Sequence, residues 1–155
     1  TAATLYERWD GDPRQLLERP AIDTESQPAG SFDAPTIERA ITNHDFPGLS
    51  GRKIRRLWLR LMHGEIQPLT RIETIAIPVD FYIVEITNRL SGGQTAFDPS
   101  DRDHQQTLRQ FWQLVCQRND LVPVQLYKPL WLLHKGWDDG GRTYLAAQLE
   151  ELRAD

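Results

Sequence analysis

Apolar residues recur along this chain at helical spacings, and nowhere do they keep up the alternation of a paired strand. The clearest case is Ile54, Leu57, Trp58, Leu61 and Met62, which fall at i, i+3, i+4, i+7 and i+8. At about 100° per residue they share one face, wide enough to bury against a core. The remaining surface of that helix carries Arg52, Lys53, Arg55, Arg56 and Arg60 with no acid among them. A second helix is expected where Val79, Ile83, Ile86 and Leu90 recur at i, i+4, i+7 and i+11. Pro78 suits its first turn, and Asp80, two residues on, is an acid that the positive end of the helix dipole stabilises.

The flanking segments read the same way. Leu5, Tyr6 and Trp9, then Leu16 and Leu17, predict two short helices split by a Gly-Asp-Pro turn, with Asp12 as cap and Pro13 as first helical residue. Residues 20–32 are polar and read as a loop. Ser31 or Asp33 then caps a helix with Ile37, Ala40 and Ile41 on one face. Ile75 and Ile77 alternate, but no other segment offers a strand to pair with them, so 64–77 is expected to be a loop. Leu108, Phe111, Trp112 and Val115 predict a helix after Asp98-Pro99-Ser100, ended by Pro123. Val124, Tyr127, Leu130, Trp131 and His134 predict another, kinked or started at Pro129, and Tyr144, Leu145, Gln148, Leu149 and Leu152 a last one beyond a glycine-rich turn. Together these predict one all-α domain over residues 1–155, an orthogonal bundle of six to eight short helices. Ile54, Trp58, Leu61, Val79, Ile83, Ile86, Trp112 and Trp131 are its expected core.

Composition narrows the function classes. The net charge is −4, so the chain as a whole is no polyanion sponge, but from Ser50 to Ile72 six basic residues face one glutamate. Such a local patch is what an electrostatic footprint needs. Fifteen of the eighteen basic residues are arginine, suited to holding pairs of phosphate oxygens. One cysteine, Cys116, excludes an internal disulfide and any all-cysteine zinc or iron-sulfur site, and the four histidines show no metal-ligand spacing. No apolar run is long enough for a membrane span and no basic-then-apolar leader is visible, so a cytoplasmic protein is expected, nucleoid-associated in a bacterium or archaeon.

Pro47-Gly48-Leu49-Ser50-Gly51 precedes the basic helix. Its two glycines can take φ > 0 and leave backbone N–H groups free at the helix start, where the dipole favours a phosphate. Gly48, Ser50 and Gly51, with Arg52, Arg56 and Arg60, are therefore the expected phosphate-binding set. Lys53 sits among arginines at that positive start, an arrangement that by itself lowers a lysine's proton affinity and so favours nucleophilic attack. The plainer reading makes Lys53 a phosphate contact and Asp80 a helix-start acid.

The glycine turn running into Gly51-Arg52-Lys53, followed by Pro78-Val79-Asp80 opening a helix that ends Asn88-Arg89-Leu90, resembles the helix-hairpin-helix DNA glycosylases of the endonuclease III superfamily. Asp10-Gly11-Asp12-Pro13-Arg14, and Leu130-Trp131-Leu132-Leu133 before Lys135-Gly136, resemble segments of an iron-sulfur branch of that group. The resemblance implies a hairpin and following helix at about 35–63, Lys53 as the lysine that attacks the sugar, Asp80 as the assisting aspartate, and duplex DNA as partner. It implies a DNA glycosylase/AP lyase of base-excision repair that removes a damaged or mismatched base. The chain departs from the pattern by having two residues between Gly48 and Gly51, by Phe81-Tyr82 after Asp80 where threonine-histidine is common, and by beginning almost at the Gly-Asp-Pro-Arg segment. Trp137 and two aspartates stand where the first cluster cysteine is expected, so neither a cluster nor any other cofactor is expected. These departures also fit a non-catalytic DNA-binding or assembly module that kept the hairpin. A basic helix meeting an acidic protein partner is a third reading.

Overall fold

The computed structural model describes residues 32–43, 48–49 and 51–147, together with Glu7 and residues 11–12. The described residues are helical, joined by short irregular segments, and an isolated bridge between Asp33 and Thr70 is the one strand-like pairing among them. The helices are α1 (Ala34–Asn43), α2 (Arg52–Glu65), α3 (Phe81–Leu90), α4 (Arg102–Arg118) and α5 (Tyr127–Lys135). Short 3-10 turns at Ile72–Thr74 and Pro123–Leu126 lead into the later ones. The all-α class read from the sequence is the class observed. The two helices expected before residue 20, most of the 20–32 loop, and the last helix beyond residue 147 lie outside the described residues. Residues 142–147 are helical, after a wide turn at Trp137–Gly141 that Gly140 makes possible with φ 103°.

Asp33 starts α1 and ties it to the rest. Its Oδ2 accepts from the Thr36 backbone N–H at 3.0 Å and from the Thr36 hydroxyl at 2.6 Å, a cap on the first turn. Arg71 donates to both carboxylate oxygens, at 2.5 and 2.6 Å, and Ala34 N–H reaches Thr70 O at 3.0 Å. The Arg71 hydrogen bond outweighs burial and, with the Thr36 bonds, holds the Asp33 carboxyl below its ordinary range. A carboxylate whose folded pKa is depressed contributes stability above its unfolded pKa of about 3.9 and loses it as pH falls through the folded value. Asp33→Ala is expected to cost roughly 0.5–2 kcal/mol through the cap alone. Thermal melts at pH 7 and pH 3 should show the wild-type protein losing more stability on acidification than Asp33→Asn; equal losses would count against this linkage.

Two core clusters follow. The first joins α1 and α2 through Ile37, Ile41, Leu59 and Met62, with Ile72, Ile75 and Val124 from the connecting segments. The second joins α3, α4 and α5 through Ile77, Ile83, Ile86, Trp112 and Leu130. Thr87, buried between α3 and α4, donates to Ile83 O at 2.6 Å and accepts from Trp112 Nε1 at 3.1 Å, so no polar group there is stranded. The segment 64–77 is mostly irregular, as expected, but it is not a surface loop, because Leu69, Ile72, Ile75 and Ile77 are all buried.

The expected core is right in part. Ile83, Ile86 and Trp112 are buried, while Trp58, Val79 and Trp131 are half-buried. Ile54 and Leu61 are exposed, at 49% and 50%. The buried face of α2 is instead Arg55, Leu59 and Met62, turned by about one residue step, roughly 100°, from the apolar stripe. Helix α1 approaches from the Arg55 side, and its Glu38 lies 3.6 Å from Arg55 Nε and 3.1 Å from Arg56 Nε. Burying that charge beside a carboxylate selects a rotation that hydrophobicity alone does not. Arg55 therefore does not belong to the exposed basic surface. Leu90 and Phe111, placed inside by spacing, are exposed at 38% and 47%.

Candidate functional site

Asp80 is where α3 meets α2. It is the N-cap of α3, not a residue of its first turn, because Pro78 and Val79 lie outside the helix; Oδ1 accepts from Ile83 N–H at 3.2 Å. Its other oxygen faces α2. Lys53, in the first turn of α2, places Nζ 2.5 Å from Asp80 Oδ2, and the Tyr127 hydroxyl donates to the same oxygen at 2.9 Å from the start of α5. Lys53 Nζ also lies 5.7 Å from the centre of the Tyr127 ring, within cation-π range. The three groups close a polar triangle among α2, α3 and α5. Lys53 remains open to solvent, its side chain 41% exposed against 15% for Asp80.

The electrostatics of this triangle correct an expectation. Burial pulls the Lys53 ammonium down, but hydrogen bonds to Asp80 and Tyr127 push it up and prevail, so its pKa lies above the ordinary lysine value. The outcome is set by burial and by the groups in direct contact, Asp80 and Tyr127, and not by the neighbouring arginines that were expected to lower it. Tyr127 is itself raised, by burial first and further by Asp80, against the opposing pull of Lys53. At neutral pH the site holds an ammonium and a neutral phenol.

Next to the triangle lies a concavity of about 420 Å³ lined by Arg52, Lys53, Arg56, Pro78, Val79, Arg102, Gln105, Gln106 and Arg109. Five of these residues are cationic and none is acidic. Arg56 is anchored to Glu38, whereas Arg109 bonds through Nε and Nη2 to the neutral Gln106 at 3.1 and 3.0 Å. Burial, followed by the charges of Arg56 and Arg52, lowers the proton affinity of Arg109. Lys53 and Arg56 have carboxylate partners in Asp80 and Glu38, but five cations lining one concavity leave a local excess of positive charge that favours an anion.

The expected phosphate set is only partly gathered here. Gly48 adopts φ 86°, a left-handed turn that glycine tolerates, but Gly51 is extended and serves as the N-cap of α2. Among the described residues no side chain caps the first N–H groups of α2. Ser50 lies outside the described residues. Arg52 and Arg56 line the concavity, but Arg60 lines a separate groove with Leu61, Lys128, Pro129 and Leu132, and its Nε is buried without a hydrogen-bond partner. Three contributors were missed from the sequence. Tyr127 carried no signal beyond its place on an apolar ridge. Arg102 and Arg109 did carry one, since with Gln106, Gln113 and Gln117 they recur at i, i+4, i+7, i+11 and i+15 as an acid-free polar stripe.

Among the described residues no group of three histidine, cysteine, aspartate or glutamate side chains is placed to hold a metal ion, and no helix is long and apolar enough to cross a membrane. Cys116 is buried, and burial raises its thiol pKa, which keeps it from acting as a nucleophile. No protein-family model, curated protein or solved structure matches this chain.

Proposed function

We propose that this chain is a helix-hairpin-helix domain within an orthogonal bundle, binding duplex DNA along the arginine concavity, with Lys53 and Asp80 as the centre of a DNA glycosylase/AP lyase reaction. The observation that supports it most is the meeting of Lys53 Nζ and Asp80 Oδ2 at 2.5 Å, from different helices, on the edge of a concavity lined by five cationic residues. In this reading α1, the Gly48 turn and α2 form the hairpin. Arg52 holds a phosphate beside an extruded nucleotide. Asp80 takes a proton from Lys53, and the freed amine lone pair forms a bond to the anomeric carbon. The bond to the base breaks as that bond forms, the base leaving with the electron pair and taking the proton from Asp80, which is then a carboxylate again; a proton from the Lys53 nitrogen passes to the ring oxygen as the ring opens, leaving a protonated imine on Lys53. Asp80 then offsets the positive charge that develops on the sugar.

One observation favours a second reading, a DNA-binding module without catalysis: Lys53 is held in its ammonium form by Asp80 and Tyr127. Both readings require phosphate contacts, and both predict the same binding behaviour. Affinity for a plain duplex should fall steeply between about 50 and 200 mM salt, each phosphate contact contributing about −0.9 to the log-log slope. Arg52→Ala should flatten that slope by about 0.9, while Arg60→Ala, in its separate groove, should flatten it less. Salt-independent binding would remove the phosphate surface from both. Borohydride trapping on abasic DNA separates catalysis from binding.

A further inference from the structure

Helix α4 carries a face that the core does not use. Leu108, Trp112 and Cys116 are its buried positions, whereas Arg102, Gln106, Arg109, Gln113 and Gln117 fall on another side. Along that side the concavity beside Lys53 is continued by a second, of about 430 Å³, to which Ala76, Gln110, Gln113, Leu114 and Gln117 are added. The two share Arg52, Arg56, Gln106 and Arg109, so they form one trough. At about 1.5 Å per residue the wall from Arg102 to Gln117 is roughly 22 Å long. A strand rising about 3.4 Å per nucleotide would pass several nucleotides along it. A lone phosphate or mononucleotide would fill only one end.

The trough is graded in charge. Its cations gather at the Lys53 end, and its far end is glutamine with Ala76 and Leu114 between. Among the described residues no carboxylate lines either part. Gln113 belongs to the scaffold, since its Nε2 donates to Glu73 O at 3.1 Å across to the segment before α3. Gln110 and Gln117 are exposed. A primary amide both donates and accepts, so it contacts base edges or sugar oxygens without adding charge.

Resting on the DNA-binding reading above, we infer that α4 is the second wall of the DNA site. Arg102 and Arg109 each neutralise a phosphate of the strand that passes Lys53, and Gln110 and Gln117 carry that strand onward through neutral hydrogen bonds. The test is a salt titration of the full chain on a fluorescent duplex of about 20 base pairs, read by anisotropy, with circular dichroism confirming that each variant is folded. R102A/R109A should flatten the log-log salt slope by about 1.8, two contacts at about 0.9 each, and R102K/R109K should restore it. Q110A/Q117A should weaken binding about fivefold at every salt concentration and leave the slope unchanged. An unchanged slope in R102A/R109A overturns the second wall and leaves the DNA reading standing. An unchanged affinity in Q110A/Q117A overturns the onward path. A wild-type chain that binds no duplex even at about 50 mM salt overturns this inference together with the reading it rests on.

Discussion

Lys53→Ala is expected to abolish a covalent adduct between this protein and abasic duplex DNA. An abasic sugar presents an aldehyde, a neutral amine condenses with it to an imine with loss of water, and borohydride delivers a hydride that turns the imine into a stable secondary amine. Lys53 is the lysine in contact with Asp80, so removal of its side chain should eliminate the adduct rather than slow it. Asp80→Asn keeps the shape but cannot take the proton, and should slow trapping by about 10²–10⁴-fold, the usual worth of a positioned acid or base. The pH profile carries more information. Because the folded pKa of Lys53 is raised, its amine is scarce at neutral pH, and trapping should climb with pH into the alkaline range. Tyr127→Phe removes one of the bonds that raise it and should move the whole profile to lower pH. A wild-type chain that binds abasic duplex but yields no adduct across that range would decide for the non-catalytic module.

The largest effect on stability is expected at Leu59. It is fully buried at the centre of the first core cluster, and Leu59→Ala should cost about 3–5 kcal/mol, the loss of transferred apolar atoms plus the cavity they leave. Leu61→Ala, only two residues along the same helix, removes a side chain that is 50% exposed and should cost well under half as much. Urea denaturation of both variants measures the contrast directly. Equal losses at the two positions would mean that α2 is seated by its apolar stripe after all, with Arg55 turned outward.

That contrast marks where periodicity stops being informative. The stripe at Ile54, Leu57, Trp58, Leu61 and Met62 correctly announced a helix, because its spacing reflects the geometry of one helix alone. Which part of the circumference is buried depends on what approaches, and Glu38 of α1 draws Arg55 inward. Periodicity on α4 shows the same limit from the other side. Its polar stripe was legible, but read alone it is a solvated face. It becomes the wall of a cationic trough only because α2 stands opposite with Arg52 and Arg56.

The site divides in the same way. Lys53 and Asp80 were singled out from local features, a lysine after a glycine turn and an acid at a helix start, and they meet in space. The sign of the Lys53 shift was not legible, because arginines adjacent in sequence were visible while the two groups that determine the outcome, Asp80 and Tyr127, arrive from other helices. Direct contact with a carboxylate outweighs charges spread along a solvated face. The sequence by itself therefore determined the helical class, the cap at Asp33, and the local excess of positive charge, all of which are set by neighbours within a turn or two. The rotation of α2, the closing of Lys53, Asp80 and Tyr127 into one polar triangle, and the pairing of α2 with α4 across a trough were decided by tertiary structure, since each depends on the distance between residues that only packing brings together.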